Sequence, residues 1–465
     1  MSNFNLNTNL SSKDFSYPDF DALRRGPGIN RIVLIGNGFD LAHGLKTSYA
    51  DFINWYWEKR VNDFYKENKK TGEIVDSKAY GFRNTHSSIS EDSLCRLSIK
   101  RYDTNEHHWS EMAWLWSYIP TEEVALKVIN EIFSDNSRFE VQMSSFFANI
   151  HAQIKNYKWV DIECEYYKLL KSYLSEQDDA KRDKLIAGLN DEIAYLKEKL
   201  IEYLKSQQIP EGDLDKELRR KIYTPIKKEE VAVHKLVAYY DHIEKWANAK
   251  KEQWCEKYVM HKLKNYDFEN VVALANECKN LSHDDLDEKL SSAPDRSERI
   301  CLPNRILFLN FNYTNLADAY CKNTKDIICT HIHGDISNKE HVIFGYGDEI
   351  DEMYQKLVDF NNNNYLENIK SIQYNDDDNY RKVLEFIESS PYQIYIMGHS
   401  CGISDRTLLN TLFEHKNCVS IKPFYHEFED GADNYRDLVK NISRNFTDMK
   451  LMRSLVVNKK YCETI

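Results

Sequence analysis

The chain has 465 residues, too many for one compact core at about 100 to 200 residues per domain, so two or three units or one domain with a large insertion are expected. Hydrophobic residues at 42% and charged residues at 29% exclude global disorder, and a net charge of −12 argues against a nonspecific nucleic-acid coat driven by counterion release. No apolar run approaches the roughly 20 residues that cross a bilayer, and ten cysteines include no C-x-x-C pair, which points to a cytoplasmic protein with reduced thiols and no membrane partner.

Residues 1–28 are polar, with Pro18 and Pro27, and read as an N-terminal arm. Arg31 to Ile35 is an unbroken aliphatic run ending at Gly36, the pattern of a strand buried on both faces of a parallel sheet. From residue 49 the text turns helical and stays so to about residue 300. Leu185, Leu189, Ile193, Leu196, Leu200 and Leu204 recur at steps of three or four, and residues 228–264 give a second helical pattern. The stretches 61–108 and 281–299 are charged and poor in strand signals. This middle part reads as a helical insertion over residues 61–299. After residue 303, strand candidates at 305–309, 326–332, 342–344, 393–397 and 419–424 alternate with helical patterns at 315–322, 379–389, 403–414 and 432–445. Alternation of this kind predicts an α/β fold with a doubly wound, mostly parallel sheet formed by residues 29–60 and 300–465.

Most polar motifs with chemical promise follow strand candidates. Gly36-Asn37-Gly38-Phe39-Asp40 permits a tight turn into a helix whose N–H groups can face phosphate, although the spacing is not G-x-G-x-x-G and a plain strand-to-helix turn explains it equally well. Asn312, in Asn310-Phe311-Asn312-Tyr313-Thr314-Asn315, stands where open α/β sheets bind ligands, while Asn315 reads as a helix cap. His331 and His333 share one face of an extended chain, which raises two-histidine metal binding; no third ligand stands at a matching spacing, so His333 is read as a general base and no metal is expected. Gly345-Tyr346-Gly347-Asp348 is a further turn with acids. Gly398-His399-Ser400-Cys401-Gly402 fits G-x-S-x-G, the nucleophile elbow of α/β-hydrolases, with His415 and His426 downstream; this leaves a serine hydrolase using Ser400 as a rival reading.

Together, Gly36 to Asp40 with Thr47 to Phe52, Asn310 to Asn315, His331 to Gly334, Gly345 to Asp348 and Gly398 to Asp405 resemble the bacteriophage abortive infection AbiH family. That family in turn resembles sirtuin-like domains. Gly36 to Asp40 with Gly44-Leu45 is similar to the sirtuin glycine loop, Asn312 falls where such domains carry the Asn of T-x-N-x-D, His333-Gly334 matches their catalytic His-Gly pair, and Gly398-His399-Ser400 is similar to their later G-x-S turn. The resemblance implies a sirtuin-like, Rossmann-like core with NAD as ligand. Gly36, Asn37, Gly38, Phe39, Asp40, Gly398, His399, Ser400 and Asp405 would bind it, and Asn312 and His333 would catalyse. Two positions depart: Thr314 stands where sirtuin-like motifs have Asp, and Asp40 stands where the glycine loop has Ser.

The expected activity is antiphage defence by hydrolysis of the nicotinamide–ribose bond of NAD or a related nucleotide. A non-catalytic nucleotide-binding sensor is the alternative. The helical section is expected to mediate self-assembly, repression or sensing of a phage component.

Overall fold

The computed structural model describes residues 28–70, 89–99, 129–130, 132–134, 139–157, 160–207, 215–243, 245, 302–321 and 326–465. The expected arm at 1–28, apart from Gly28, and the patterns at 246–264 and 281–299 lie outside them. Eight strands are described: β1 (Asn30–Ile35), β2 (Ile89–Glu91), β3 (Cys95–Ile99), β4 (Phe139–Met143), β5 (Ile306–Asn310), β6 (Ile327–His331), β7 (Tyr392–Met397) and β8 (Cys418–Phe424).

Five of them form one parallel sheet in the order β6-β5-β1-β7-β8. Its strands are largely apolar because both faces are covered, with Arg31, Gln393, Ser420 and Lys422 among the buried polar exceptions. Ile32, Leu34, Leu307, Leu309, Ile394 and Ile396 enter one core, whereas Val33, Ile35, Ile306, Phe308, Tyr395 and Met397 enter the other. β1 is therefore the central strand, paired with β5 on one side and β7 on the other. From β1 the chain builds outward through β5 to β6, then returns across the sheet to add β7 and β8. Connections leaving the carboxyl ends of β1 and β7 thus part to opposite sides, and such a switch point is where open α/β sheets hold ligands.

Between β1 and β5 the chain contributes helices Tyr49–Lys70, Ser145–Tyr157, Ile162–Tyr173 and Asp179–Ser206. The last buries Ile186, Leu189, Ile193, Leu196, Leu200 and Leu204 on one stripe. Their shared core extends to Phe344, Tyr346, Leu357 and Tyr365 of the sheet-bearing part, so the helices pack against the loops beyond the strands' carboxyl ends. No helix among the described residues is long and apolar enough to cross a membrane.

Three expectations need correction. The middle section is not helical throughout: β2, β3 and β4 form a small antiparallel sheet, in which Cys95 and Leu97 are buried while Arg96 and Ser98 alternate with them. Five residues of alternation among charges give too short a signal to stand out. Val342-Ile343-Phe344 is buried but is no strand. Its backbone is claimed by a turn and by side chains: Ile343 N–H donates to His333 O at 2.9 Å, while Lys197 Nζ and Tyr313 Oη donate to the carbonyls of Val342 and Ile343. Residues 228–235 are two short 3-10 turns rather than the start of a helix, because Ala232 is extended and its N–H donates to Val419 O on β8.

Candidate functional site

The glycine loop and the β7 loop touch backbone to backbone. Gly38 N–H donates to Gly398 O at 2.8 Å, and a Cβ on Gly36 would stand 2.4 Å from His399 Cα. Gly398 has φ +77°, and a Cβ there would lie 2.1 Å from the amide nitrogen of Phe39. The glycines at 36, 38 and 398 are thus needed for chain-on-chain contact, and a phosphate reaching the Gly38 amide would have to displace the β7 loop. Gly398→Ala combines a left-handed φ with an overpacked backbone, so it should lose about 2 to 4 kcal/mol in urea unfolding. Asn37 Oδ1 accepts from the Thr47 hydroxyl at 2.6 Å. Phe39 faces the core against Tyr320 and His43 rather than the crevice.

The β5 turn is pinned to this loop. Asn310 organises it, its Oδ1 accepting from Asn312 N–H and its Nδ2 donating to Thr314 O, each at 3.0 Å. Asn312 Nδ2 then donates to Gly36 O at 3.0 Å. Thr314 Oγ1 donates to Asp40 Oδ2 at 2.6 Å, so the two positions that depart from the sirtuin-like pattern are in contact. Burial pushes the Asp40 carboxyl up to about 6, against the opposing hydrogen bond from Thr314.

A raised carboxyl binds its proton more tightly folded than unfolded. Its contribution is therefore complete below the ordinary value of 3.8 and is lost as pH rises through about 6. Asp40→Asn should change stability little at acid pH and raise it by about 2 kcal/mol at mildly alkaline pH, read from urea midpoints at both.

β6 ends at His331, and the turn Ile332-His333-Gly334 separates the two histidines that alternation would place together: His331 Nε2 meets Asp318 Oδ1 at 3.0 Å, whereas His333 turns inward. His333 Nε2 lies 3.2 Å from Asp405 Oδ1 and 3.3 Å from the Tyr374 hydroxyl. Asp405, at the start of helix Arg406–Phe413, also faces His399 Nε2 at 3.6 Å and Lys370 Nζ at 2.7 Å. Lys370 Nζ in turn donates to Glu163 Oε2 at 2.8 Å. The Phe311 ring packs against both histidines, 4.2 Å from His399 and 5.3 Å from His333 between ring centroids.

Charges divide unequally in this buried group. Burial would raise Asp405, but the Lys370 ammonium and then His333 hold it well below the usual carboxylate range. Glu163 is raised, burial outweighing its share of the same lysine. Burial, then Lys370, lowers His333 to about 4, so its imidazole is neutral at physiological pH. With Nε2 directed at the Asp405 carboxylate, the proton of the neutral ring belongs on Nε2, and Nδ1 keeps the lone pair that can accept one. Asp405 thereby orients a base, the role of the acid in a histidine–acid pair.

Sequence reading did not single out Lys370, Glu163 or Tyr374. Lys370 comes from the short helix Lys370–Gln373, and Glu163 from the first turn of helix Ile162–Tyr173 in the section between β1 and β5. The turn at Gly345 serves them, its N–H donating to Glu163 Oε1 at 3.1 Å.

Beyond the buried group lies a cavity of about 240 Å³ lined by Asp161, Lys168, Ser400, Gly402, Asn441 and Arg444. Ligand pockets run to about 300 to 1,000 Å³, so this one is smaller than usual, and neither His333 nor Asp405 lines it. Ser400 is exposed at the mouth, with its carbonyl accepting from Asn441 Nδ2. His415 precedes β8 and pairs with Glu388 at 3.1 Å, at the sheet edge opposite the carboxyl end of β7, which leaves it outside reach of Ser400. Besides Gly398, the residue with positive φ in the elbow is Cys401, at 53°, rather than the serine.

A sequence model of the family described as bacteriophage abortive infection AbiH matches residues 32–426, spanning β1 through the end of β8 and every strand-end motif described above. The chain belongs to the AbiH family. Membership gives this AbiH protein a role in abortive infection against bacteriophage. Comparison with curated proteins and with solved structures yielded no match.

Proposed function

We propose that this AbiH protein is an abortive-infection effector that hydrolyses the nicotinamide–ribose bond of NAD or a related nucleotide, and that the helical section holds it closed. One observation carries the reading: the loops leaving β1, β5, β6 and β7 meet at the switch point of a parallel sheet, with a neutral histidine oriented by a carboxylate among them. The contact between Asp40 and Thr314, the two positions that depart from the sirtuin-like pattern, favours instead the alternative of a non-catalytic nucleotide sensor.

In the reaction, the C–N bond to nicotinamide breaks with its electron pair going to the ring nitrogen, which leaves neutral. An oxocarbenium-like ribose forms and is captured by water. His333 Nδ1 accepts the proton that water loses, and Asp405 stabilises the imidazolium. Asn312, fixed to Gly36 O, stands beside the glycine loop to orient the ribose or the water. Ser400, Lys168 and Arg444 at the mouth offer a hydroxyl and two cations to a nucleotide's phosphates.

Closure by the helical section has a chemical consequence as well as a steric one. Glu163 keeps Lys370 against Asp405, and Lys370 is one of the causes that depress His333. Withdrawal of the helix bearing Glu163 would open the crevice and relieve burial of the base. The full-length protein should release nicotinamide from NAD once extract of infected cells is added, and little or none before. Calorimetric binding of ADP-ribose without nicotinamide release under either condition would favour the nucleotide sensor, a reading that the closed site itself supports.

A further inference from the structure

A second group of side chains gathers where β5 crosses to β6, outside the proposed NAD site. The 3-10 turn Leu316–Tyr320 presents Asp318, and Cys321 follows it with its N–H donating to Asp318 O at 3.0 Å. Cys321 caps that turn in an extended conformation, one residue beyond it. Cys329 and His331 are two apart on β6 and share a face of that strand. The turn and the strand face each other across the crossover. One ligand atom from each of Asp318, Cys329 and His331 lies within 4.8 Å of the other two, and His331 Nε2 is 3.0 Å from Asp318 Oδ1. The thiols of Cys321 and Cys329 are within hydrogen-bonding reach of each other.

We propose that Asp318, Cys321, Cys329 and His331 bind one zinc ion. Metal–ligand bonds of about 2.0 to 2.3 Å place the donors of a tetrahedron about 3.3 to 3.8 Å apart; rotamer adjustment brings Asp318, Cys329 and His331 there from within 4.8 Å, and Cys321 must swing in from beside Cys329 as the fourth. Two sulfurs, one imidazole nitrogen and one carboxylate oxygen select zinc over magnesium or calcium, which take oxygen ligands. Binding releases the two thiol protons. Cys321 is buried and Asp318 is about half exposed, giving a closed sulfur side and an open path for entry. His333 takes no part, since it turns to Asp405. The ion would tie the crossover to β6 directly behind the Asn310–Thr314 turn, because the other nitrogen of His331 faces the Asn310 amide at 3.4 Å.

The test is metal analysis of the full-length protein purified under reducing conditions from zinc-replete medium. The expected result is about one zinc per folded chain, falling about tenfold or more in Cys329→Ser and His331→Ala. Asp318→Asn, altered at a half-exposed position, should stay folded and bind more weakly. Cobalt(II) added to chelator-stripped protein with unchanged circular dichroism should give the visible absorption of a tetrahedral site and a thiolate charge-transfer band, the latter weakened in Cys321→Ser. Three results would overturn the proposal: no uptake of zinc or cobalt by natively folded protein, zinc content unchanged in the two ligand variants, or a Cys321–Cys329 disulfide as the main species in protein isolated with thiols blocked. None of these readouts depends on NAD turnover, so the two readings stand or fall separately.

Discussion

Lys370→Met should destabilise the protein by about 3 to 5 kcal/mol, the cost of removing one partner from a buried ion pair and leaving charge behind. The lysine is fully buried and its ammonium serves two carboxyl groups, Asp405 Oδ1 at 2.7 Å and Glu163 Oε2 at 2.8 Å. Methionine keeps much of the volume, so the loss reports charge rather than a cavity. Its pH dependence separates the two causes. Asp405 is depressed in the folded protein, and its stabilising share is present above the unfolded carboxylate range and lost as pH falls through its folded value. Without the lysine the same carboxyl is raised by burial, so the gap between variant and parent should widen as pH rises through the carboxylate range. Urea unfolding at acid and neutral pH measures it. A loss below about 1 kcal/mol at neutral pH would mean that the two acids are protonated whether or not the lysine is present.

The second large effect is on turnover. If His333 Nδ1 is the proton acceptor, His333→Ala should lower nicotinamide release from NAD by about 10²- to 10⁴-fold, the range for loss of a positioned general base. Stability should fall less than in Lys370→Met, because Asp405 keeps Lys370 and His399 as neighbours. Asp405→Asn acts through the ring rather than on the substrate. It should lower turnover in the same direction and shift the pH profile, since the amide cannot stabilise the imidazolium. A merely structural Asp405 would change the amount of folded protein and leave the profile of the remainder where it was. The ring begins from about 4 when closed, so turnover should rise as pH increases through the base's titration and then level, with the midpoint above 4 if opening relieves burial.

What the sequence discloses here follows from range of interaction. The parallel sheet was legible because both cores cover it, and unbroken runs such as Ile32 to Ile35 and Ile394 to Met397 follow directly from that burial. Strand ends were legible for the same reason: Gly36, Asn312, His333 and Gly398 stand where apolar runs stop. Lys370 and Glu163 carry no local sign of their role. The lysine sits among Asn, Ile and Ser, and the glutamate in an acidic first helical turn that reads as a solvated cap. Only tertiary placement brings Glu163, from the section between β1 and β5, 2.8 Å from Lys370. The same holds for the contact between Asp40 and Thr314, separated by 274 positions, and for the Asp318–Cys329–His331 cluster, whose acid and thiol stand at no spacing that marks a metal motif. The strand expected at 342–344 failed for the converse reason, since an apolar triplet can be buried by partners that are not a sheet.

Cleavage of NAD in the crevice at the carboxyl ends of β1, β5, β6 and β7 is decided by side-by-side nicotinamide release. Wild-type full-length protein and His333→Ala, matched by circular dichroism, are incubated with NAD and infected-cell extract, with extract alone as the blank. Release above the blank is expected from the wild type, and about a hundredth or less of that from the variant. Equal release by both proteins, or none above the blank from either, would contradict cleavage at this site.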